Sequence, residues 1–176
     1  MNNVTFGDVG SGGREDRWTY YETIGGGQGA SATGPGPSGV HVGMSNTRNT
    51  PIEVLELECP LRVRRYALRR GSGGVGIWEG GAGVVREFEA LADAEVSLLT
   101  DRRRHRPEGV AGGGDGAAGR NLLNGKPLRA KTQFRMQNGD VLTIETPGGG
   151  GYGKRERRHG ERRRDQRKPT TKDRRR

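Results

Sequence analysis

One cysteine, Cys59, stands in a chain of 176 residues. It excludes an intrachain disulfide and any cysteine-built metal site. It fits a reducing, cytoplasmic setting, and with no base beside it in the sequence it reads as a buried, inert thiol. Aromatic residues are scarce, at 5%, and hydrophobic residues make up only 29%. A core can form but it is thin, and burial against a neighbouring surface is to be expected. No apolar run approaches the roughly 20 residues that a membrane span needs, and the N-terminus shows no signal-peptide pattern. A nucleotide loop of the Gly-Lys-Ser/Thr kind is also lacking, so the chain is not expected to bind ATP unaided. The three histidines, His41, His105 and His159, are scattered without ligand spacing, so no metal centre is expected on this chain alone.

What is abundant is glycine, at 33 residues, and arginine. The net charge of +10 invites a nucleic-acid reading, but the charge is unevenly placed. Lys154 to Arg176 holds 13 basic and 4 acidic residues, which leaves 18 basic and 17 acidic residues in the 153 that precede it. The basic character belongs to the tail, the body is nearly neutral, and nucleic acid is an unfavoured partner. Residues 154–176 lack apolar anchors and read as a disordered Arg-rich tail.

The chain otherwise reads as mainly β: short antiparallel strands and Gly-rich loops with at most one or two short helices. Strands are expected over Trp18–Ile24, Val40–Met44, Leu61–Arg69, Val75–Trp78, Gly83–Leu91, Ala94–Thr100, Leu128–Met136 and Val141–Glu145. Residues 7–17, 25–39 and 105–121 read as loops. Ala92-Asp93 and Asn138-Gly139 are expected to close hairpins. Thr50-Pro51-Ile52-Glu53 carries a capping-box signature for a helix of two turns at most, ended by Pro60, with a strand as the alternative. On a strand, Glu56 and Glu58 would share one face as surface charges. Gly71-Ser72-Gly73-Gly74-Val75-Gly76 matches a dinucleotide fingerprint by letter, but no helix follows it, and it reads as a hairpin loop.

Two glycine-punctuated blocks stand out: Thr19-Tyr20-Tyr21-Glu22-Thr23-Ile24-Gly25-Gly26-Gly27-Gln28-Gly29-Ala30, and Gly39-Val40-His41-Val42-Gly43 through Ser45-Asn46-Thr47-Arg48-Asn49-Thr50-Pro51. A glycine cluster lets backbones approach closely, but it must be held by something outside itself. With Met1–Gly7, Pro60–Val63, Gly71–Gly74, Leu98–Arg104 and Glu145–Gly153, these blocks form a collinear set that resembles the hydantoinase B/oxoprolinase family. That family includes N-methylhydantoinase B and acetone-carboxylase alpha-like subunits. The resemblance covers residues 1–153 and looks like the C-terminal portion of such a domain, with Met1 where the family has an internal methionine.

The resemblance implies part of an ATP-dependent amidohydrolase acting on a cyclic amide or imide of the hydantoin or 5-oxoproline type. It implies as partners a hydantoinase A-type ATP-binding subunit and the missing N-terminal part of the B subunit. ATP with Mg, and a divalent metal, would then be held elsewhere in the complex. Residues 22–30 and 41–51 would shape the substrate or interface side, through Glu22, Gly27, Gln28, Asn46, Thr47, Arg48 and Asn49. Asn and Arg suit the polar edges of a cyclic imide or a carboxylate. His41 is the candidate acid/base, against the plainer reading of a packed histidine. Family members commonly carry a second histidine where Gly43 stands, an aromatic near 105 and a Trp near 108; here those last two are His105 and Glu108. Asp101–Arg106 reads as a solvated or subunit-facing charge run, with a phosphate or carboxylate site as runner-up. A different reading of the whole chain is a non-catalytic module that uses its basic tail on nucleic acid or anionic surfaces.

Overall fold

The computed structural model describes residues 1–10, 17–43 and 45–155. The disorder expected over the tail, and Met44, lie outside the described residues, save for Lys154 and Arg155. Among the described residues the architecture is mainly β, as the sequence implies, with one short helix. The strands are β1 (Asn2–Asp8), β2 (Thr19–Thr23), β3 (Leu61–Arg69), β4 (Gly83–Ala90), β5 (Ala94–Thr100), β6 (Arg120–Leu123), β7 (Lys126–Pro127), β8 (Lys131–Met136) and β9 (Val141–Glu145), and the helix α1 (Ile52–Glu58) precedes β3. They form two antiparallel sheets, ordered β2-β1-β5-β8 and β3-β4-β9-β6-β7.

Period-two alternation explains how the sheets meet. Ala94, Val96, Leu98 and Thr100 of β5 are buried while Glu95 and Leu99 are exposed. Val4 and Phe6 of β1, Phe88 and Ala90 of β4 and Leu142 and Ile144 of β9 join them in one apolar cluster. Phe6 and Phe88, one from each sheet, meet with ring centroids 5.0 Å apart and planes tilted by 59°. Leu55 of α1, with Cys59 just after it, closes one end of the core. Cys59 is buried, and burial, then the Glu58 charge, pushes its thiol up, which fits the inert reading.

Several local expectations are corrected. Ala92-Asp93 and Asn138-Gly139 do not close hairpins. Strand β4 pairs with β9 and β5 with β8, so both connections carry the chain from one sheet to the other at a shared corner. Asp93 ties that corner by accepting from the Asn138 amide and the Arg135 guanidinium. Gly139 is turn-like, with φ of 87°, but tertiary pairing sends its flanking strands to different sheets. The tight hairpin is instead Asn124-Gly125, between β6 and β7, where both central residues have positive φ (49° and 77°) as the primed turns require. Pro127 sits on the sheet edge, where its missing N–H costs no ladder bond.

Neither the described part of the expected Val40–Met44 strand, residues 40–43, nor Val75–Trp78 is a strand. They contribute only isolated bridges, Gly26 to Val40 and Trp78 to Tyr152. The loop expected over 7–17 begins later, since Gly7 and Asp8 belong to β1, and Arg120 and Asn121 of the expected 105–121 loop open β6. The eighth strand starts at Lys131 rather than Leu128. The helix forms without the capping box: Pro51 occupies the cap position and no side chain bonds there. Glu56 therefore lies on a helix, where it accepts from the Val63 amide instead of sharing a strand face with Glu58.

The loop over residues 70–82 does join two paired strands, β3 and β4, as a long hairpin connection. It is one of four glycine-rich segments that come together beside the sheets. Gly27 donates to Pro147, Gly81 to Gln28, Gly149 to Gly81, Gly74 to Gly149, Gly151 to Gly114 and Ala30 to Gly150, all backbone to backbone at 2.8–3.0 Å. A Cβ added at Gly27, Gly81 or Gly149 would fall inside a carbonyl oxygen of the neighbouring segment. These segments are thus a second packed body, with glycine serving as it does at the crowded axis of collagen.

Candidate functional site

Strands β2 and β4 place a charged pair inside the molecule. Val84, Arg86, Phe88 and Ala90 share one face of β4, so arginine occupies an apolar row. Arg86 is fully buried and its Nη2 lies 3.2 Å from Oε2 of Glu22, itself 3% exposed at the side chain. Tyr20, two residues earlier on the same face of β2, donates to the same Oε2 at 2.9 Å. Burial, then the Glu22 charge and that hydrogen bond, push the Tyr20 hydroxyl up to about 12, with Thr50 and Arg86 pulling the other way. Tyr20 is therefore a neutral donor at any ordinary pH.

The guanidinium also lies over two rings. Its Cζ is 4.4 Å from the centroid of Tyr66, the residue opposite it in the β3–β4 register, and 4.9 Å from that of Phe88. The Tyr66 hydroxyl accepts from Asn49 Nδ2 at 2.5 Å. A chain of contacts thus runs from Glu22 through Arg86 and Tyr66 to Asn49, in the segment that leads into α1. The set is not saturated. Glu22 Oε1, Arg86 Nε and Nη1, and His41 Nδ1 are buried without a partner among the described residues. Unpaired polar atoms in such surroundings are costly, and at functional sites they are retained for a reason.

Of the residues expected from the sequence, Glu22 and Asn49 fall within this cluster. His41 is half-buried, directly after the Gly26–Val40 bridge that fastens its segment to the end of β2. Asn46, Thr47 and Arg48 are exposed on the same segment, with Thr47 turned back onto Ser45. Gly27 and Gln28 lie elsewhere: both are wedged by their backbones into the glycine body, and the Gln28 side chain is exposed. Gly43 has φ of 67°, in the left-handed region that residues other than glycine adopt uncommonly. His105 and Glu108 are exposed, and Glu108 contributes its carbonyl to the packing around Gly150. Sequence reading missed Arg86 and Tyr66. The signal was present: an arginine in step with Val84 and Phe88 along a period-two row.

Among the described residues no group of three or more His, Cys, Asp or Glu is placed to hold a metal ion, and no helix is long and apolar enough to cross a membrane.

The family model described as hydantoinase B/oxoprolinase matches residues 1–155. The 5-oxoprolinase 1 of Arabidopsis thaliana is 46% identical over 158 residues, covering 87% of this chain and 12% of the plant protein. Among solved structures, the ATP-dependent caprolactamase from Pseudomonas jessenii superposes with a TM-score of 0.69 at 26% identity, over 87% of this chain and 28% of its own. An acetone carboxylase shares the fold, with a TM-score of 0.61 at 18% identity. The chain spans about an eighth of the length of the first curated relatives it matches, at 13% and 12%. It belongs to the hydantoinase B/oxoprolinase family.

Proposed function

We propose that this member of the hydantoinase B/oxoprolinase family is the C-terminal, site-shaping portion of a larger assembly that opens a cyclic amide or imide at the expense of ATP. The likeness to a 5-oxoprolinase over nearly the whole described chain carries this reading. The caprolactamase likeness, above that to the carboxylase in both identity and superposition, favours hydrolysis. Nucleotide chemistry falls to a hydantoinase A-type partner with its Mg, and any divalent metal to the rest of the B subunit. Residues 1–153 form the portion that docks there, and residues 154–176 are an appended tail.

The division of labour within the chain follows from the geometry. Glu22 holds Arg86, Arg86 lies over Tyr66, and the Tyr66 hydroxyl holds the segment before α1 at Asn49. That segment presents Asn46, Thr47 and Arg48, whose amide and guanidinium groups match the carbonyl and N–H edges of a small ring or the carboxylate of its opened product. His41 is the candidate proton carrier, with Nδ1 without a hydrogen-bond partner among the described residues. Glu22 and Arg86 are positioning residues: they are too enclosed to meet a substrate, and they act through Tyr66 and Asn49.

The test is reconstitution of the chain with an A-type subunit and the remaining B portion, assayed with ATP on 5-oxoproline, hydantoin and caprolactam. Ring opening should require all three components. Arg48→Ala should raise KM about tenfold, while Arg86→Lys lowers kcat. Turnover by the chain alone would overturn the reading, as would a full assembly that opens none of these rings. The tail-directed alternative predicts RNA binding with a steep salt dependence that is lost on removing residues 154–176.

A further inference from the structure

The charged run after β5 bends back over a cavity of about 610 Å3 between the β3–β4 loop and the segment before β6, on a different part of the molecule from the Glu22–Arg86 cluster. Four guanidinium groups line it, from Arg69, Arg103, Arg106 and Arg120, with Asp115 and Ser72. The available carboxylates do not balance them. Glu145 is shared: Arg69 Nε approaches it at 3.0 Å and Arg120 at 2.7 Å. Asp115 is turned to the Gly109 amide. Among the described residues Arg103 bonds only neutral acceptors, Asn121 Oδ1 through Nε and Nη2, and Asn2 Oδ1 and the Asp101 carbonyl through Nη1. Arg106 makes no ion pair or side-chain hydrogen bond with any described residue.

Such a set holds unrelieved positive charge in a recess walled by backbone. Burial first, and then the neighbouring Arg69, push the ionisation of Arg103 down to about 10, with Asp101 and Glu145 pulling the other way. Arg69 is lowered as well, by burial first and also by Arg120, against the pull of Glu145. An anion seated among these groups would relieve repulsion that the chain's own carboxylates leave standing. Arginine forks suit a planar or tetrahedral oxyanion.

We infer that the Arg69–Arg103–Arg106–Arg120 cavity is a binding site for a small oxyanion, a phosphate or a carboxylate group. Arg103 and Arg69 are held in place by their internal bonds and form the fixed wall. Arg106, exposed and unengaged, is the arm that closes on the ligand. This inference stands on the cavity alone and does not depend on the proposed amidohydrolase role.

Titration of the full chain with inorganic phosphate and, separately, acetate, at constant ionic strength, tests it through the backbone amide resonances of Ser72, Gly73 and Ala117–Gly119. Saturable shifts at these amides are expected, and Arg106→Gln should weaken binding at least about tenfold, the scale for lost charge-assisted bonds. Arg64→Gln, an exposed change on β3 outside the cavity, should leave binding unaltered. The basic tail is present in every variant, so its contribution cancels. Saturation by phosphate alone assigns the site to a phosphoryl source, and by both anions to the carboxylate class as well. No saturable shift with either anion would overturn the inference, as would equal affinity in the Arg106→Gln chain.

Discussion

Phe88 and Gly149 are both closely enclosed, but for opposite reasons. Phe88 is held by what its side chain touches: the Phe6 ring across the sheets and the Arg86 guanidinium above it. At Gly149 the enclosure comes from backbone alone, with its amide bonded to Gly81, its carbonyl accepting from Gly74, and the Gln28 carbonyl where a Cβ would stand. The sheets are specified by apolar volume and the glycine body by the absence of volume. The two kinds of order respond to different substitutions, which is how the comparison can be broken.

The largest effect should come from one methyl group. Gly149→Ala forces a Cβ into a carbonyl of another segment, and neither backbone can yield without breaking bonds to a third. A loss above about 5 kcal/mol is expected, seen as failure to fold or a collapsed thermal transition. Gly34→Ala, where a Cβ meets nothing within 4 Å, should be nearly silent in the same assay.

Next in size is the buried pair. Arg86→Met leaves Glu22 enclosed without its cation and should cost about 3–5 kcal/mol in denaturant unfolding. Combining it with Glu22→Gln should recover part of that loss, because the uncompensated charge is then gone.

A smaller effect depends on pH. The Tyr20 hydroxyl ionises near 10 when unfolded and near 12 when folded. Below pH 10 both states keep the proton and stability is level. Between 10 and 12 the unfolded chain releases it first, so stability falls as pH rises, by up to about 3 kcal/mol from this group. Tyr20→Phe should remove that component of the alkaline slope. Smallest of all, Arg135→Ala deletes an exposed pair with Asp93 and should shift stability by less than about 0.5 kcal/mol.

Legibility in the sequence divides along the same line. Strands β4, β5 and β9 were readable because their side chains alternate or run apolar, which is a local property. Their pairing was not: Asn138-Gly139 carries the hairpin letters, yet the strands flanking it find partners in different sheets. Asn124-Gly125 carries the same letters and does close a hairpin, so the dipeptide alone cannot separate a turn from a corner. The helix near Ile52 was anticipated, but its cap was not, since Thr50 stands one position before the cap residue. For the glycine body the sequence disclosed only that something external must hold it. Which segment meets which depends on carbonyl-to-amide geometry, and that leaves no side-chain trace. In the candidate site the sequence marks Glu22 and Asn49, whereas Arg86, which pairs with Glu22 and reaches Asn49 only through Tyr66, reads as one charge among many.

The claim that glycine segments form a folded body is tested most directly by native-state hydrogen exchange at the amides of Gly27, Gly74, Gly81 and Gly149. Protection comparable to that of β4 amides is predicted, with all of them lost together on global unfolding. Exchange at the rate of open loops, while the sheets stay protected, would contradict it.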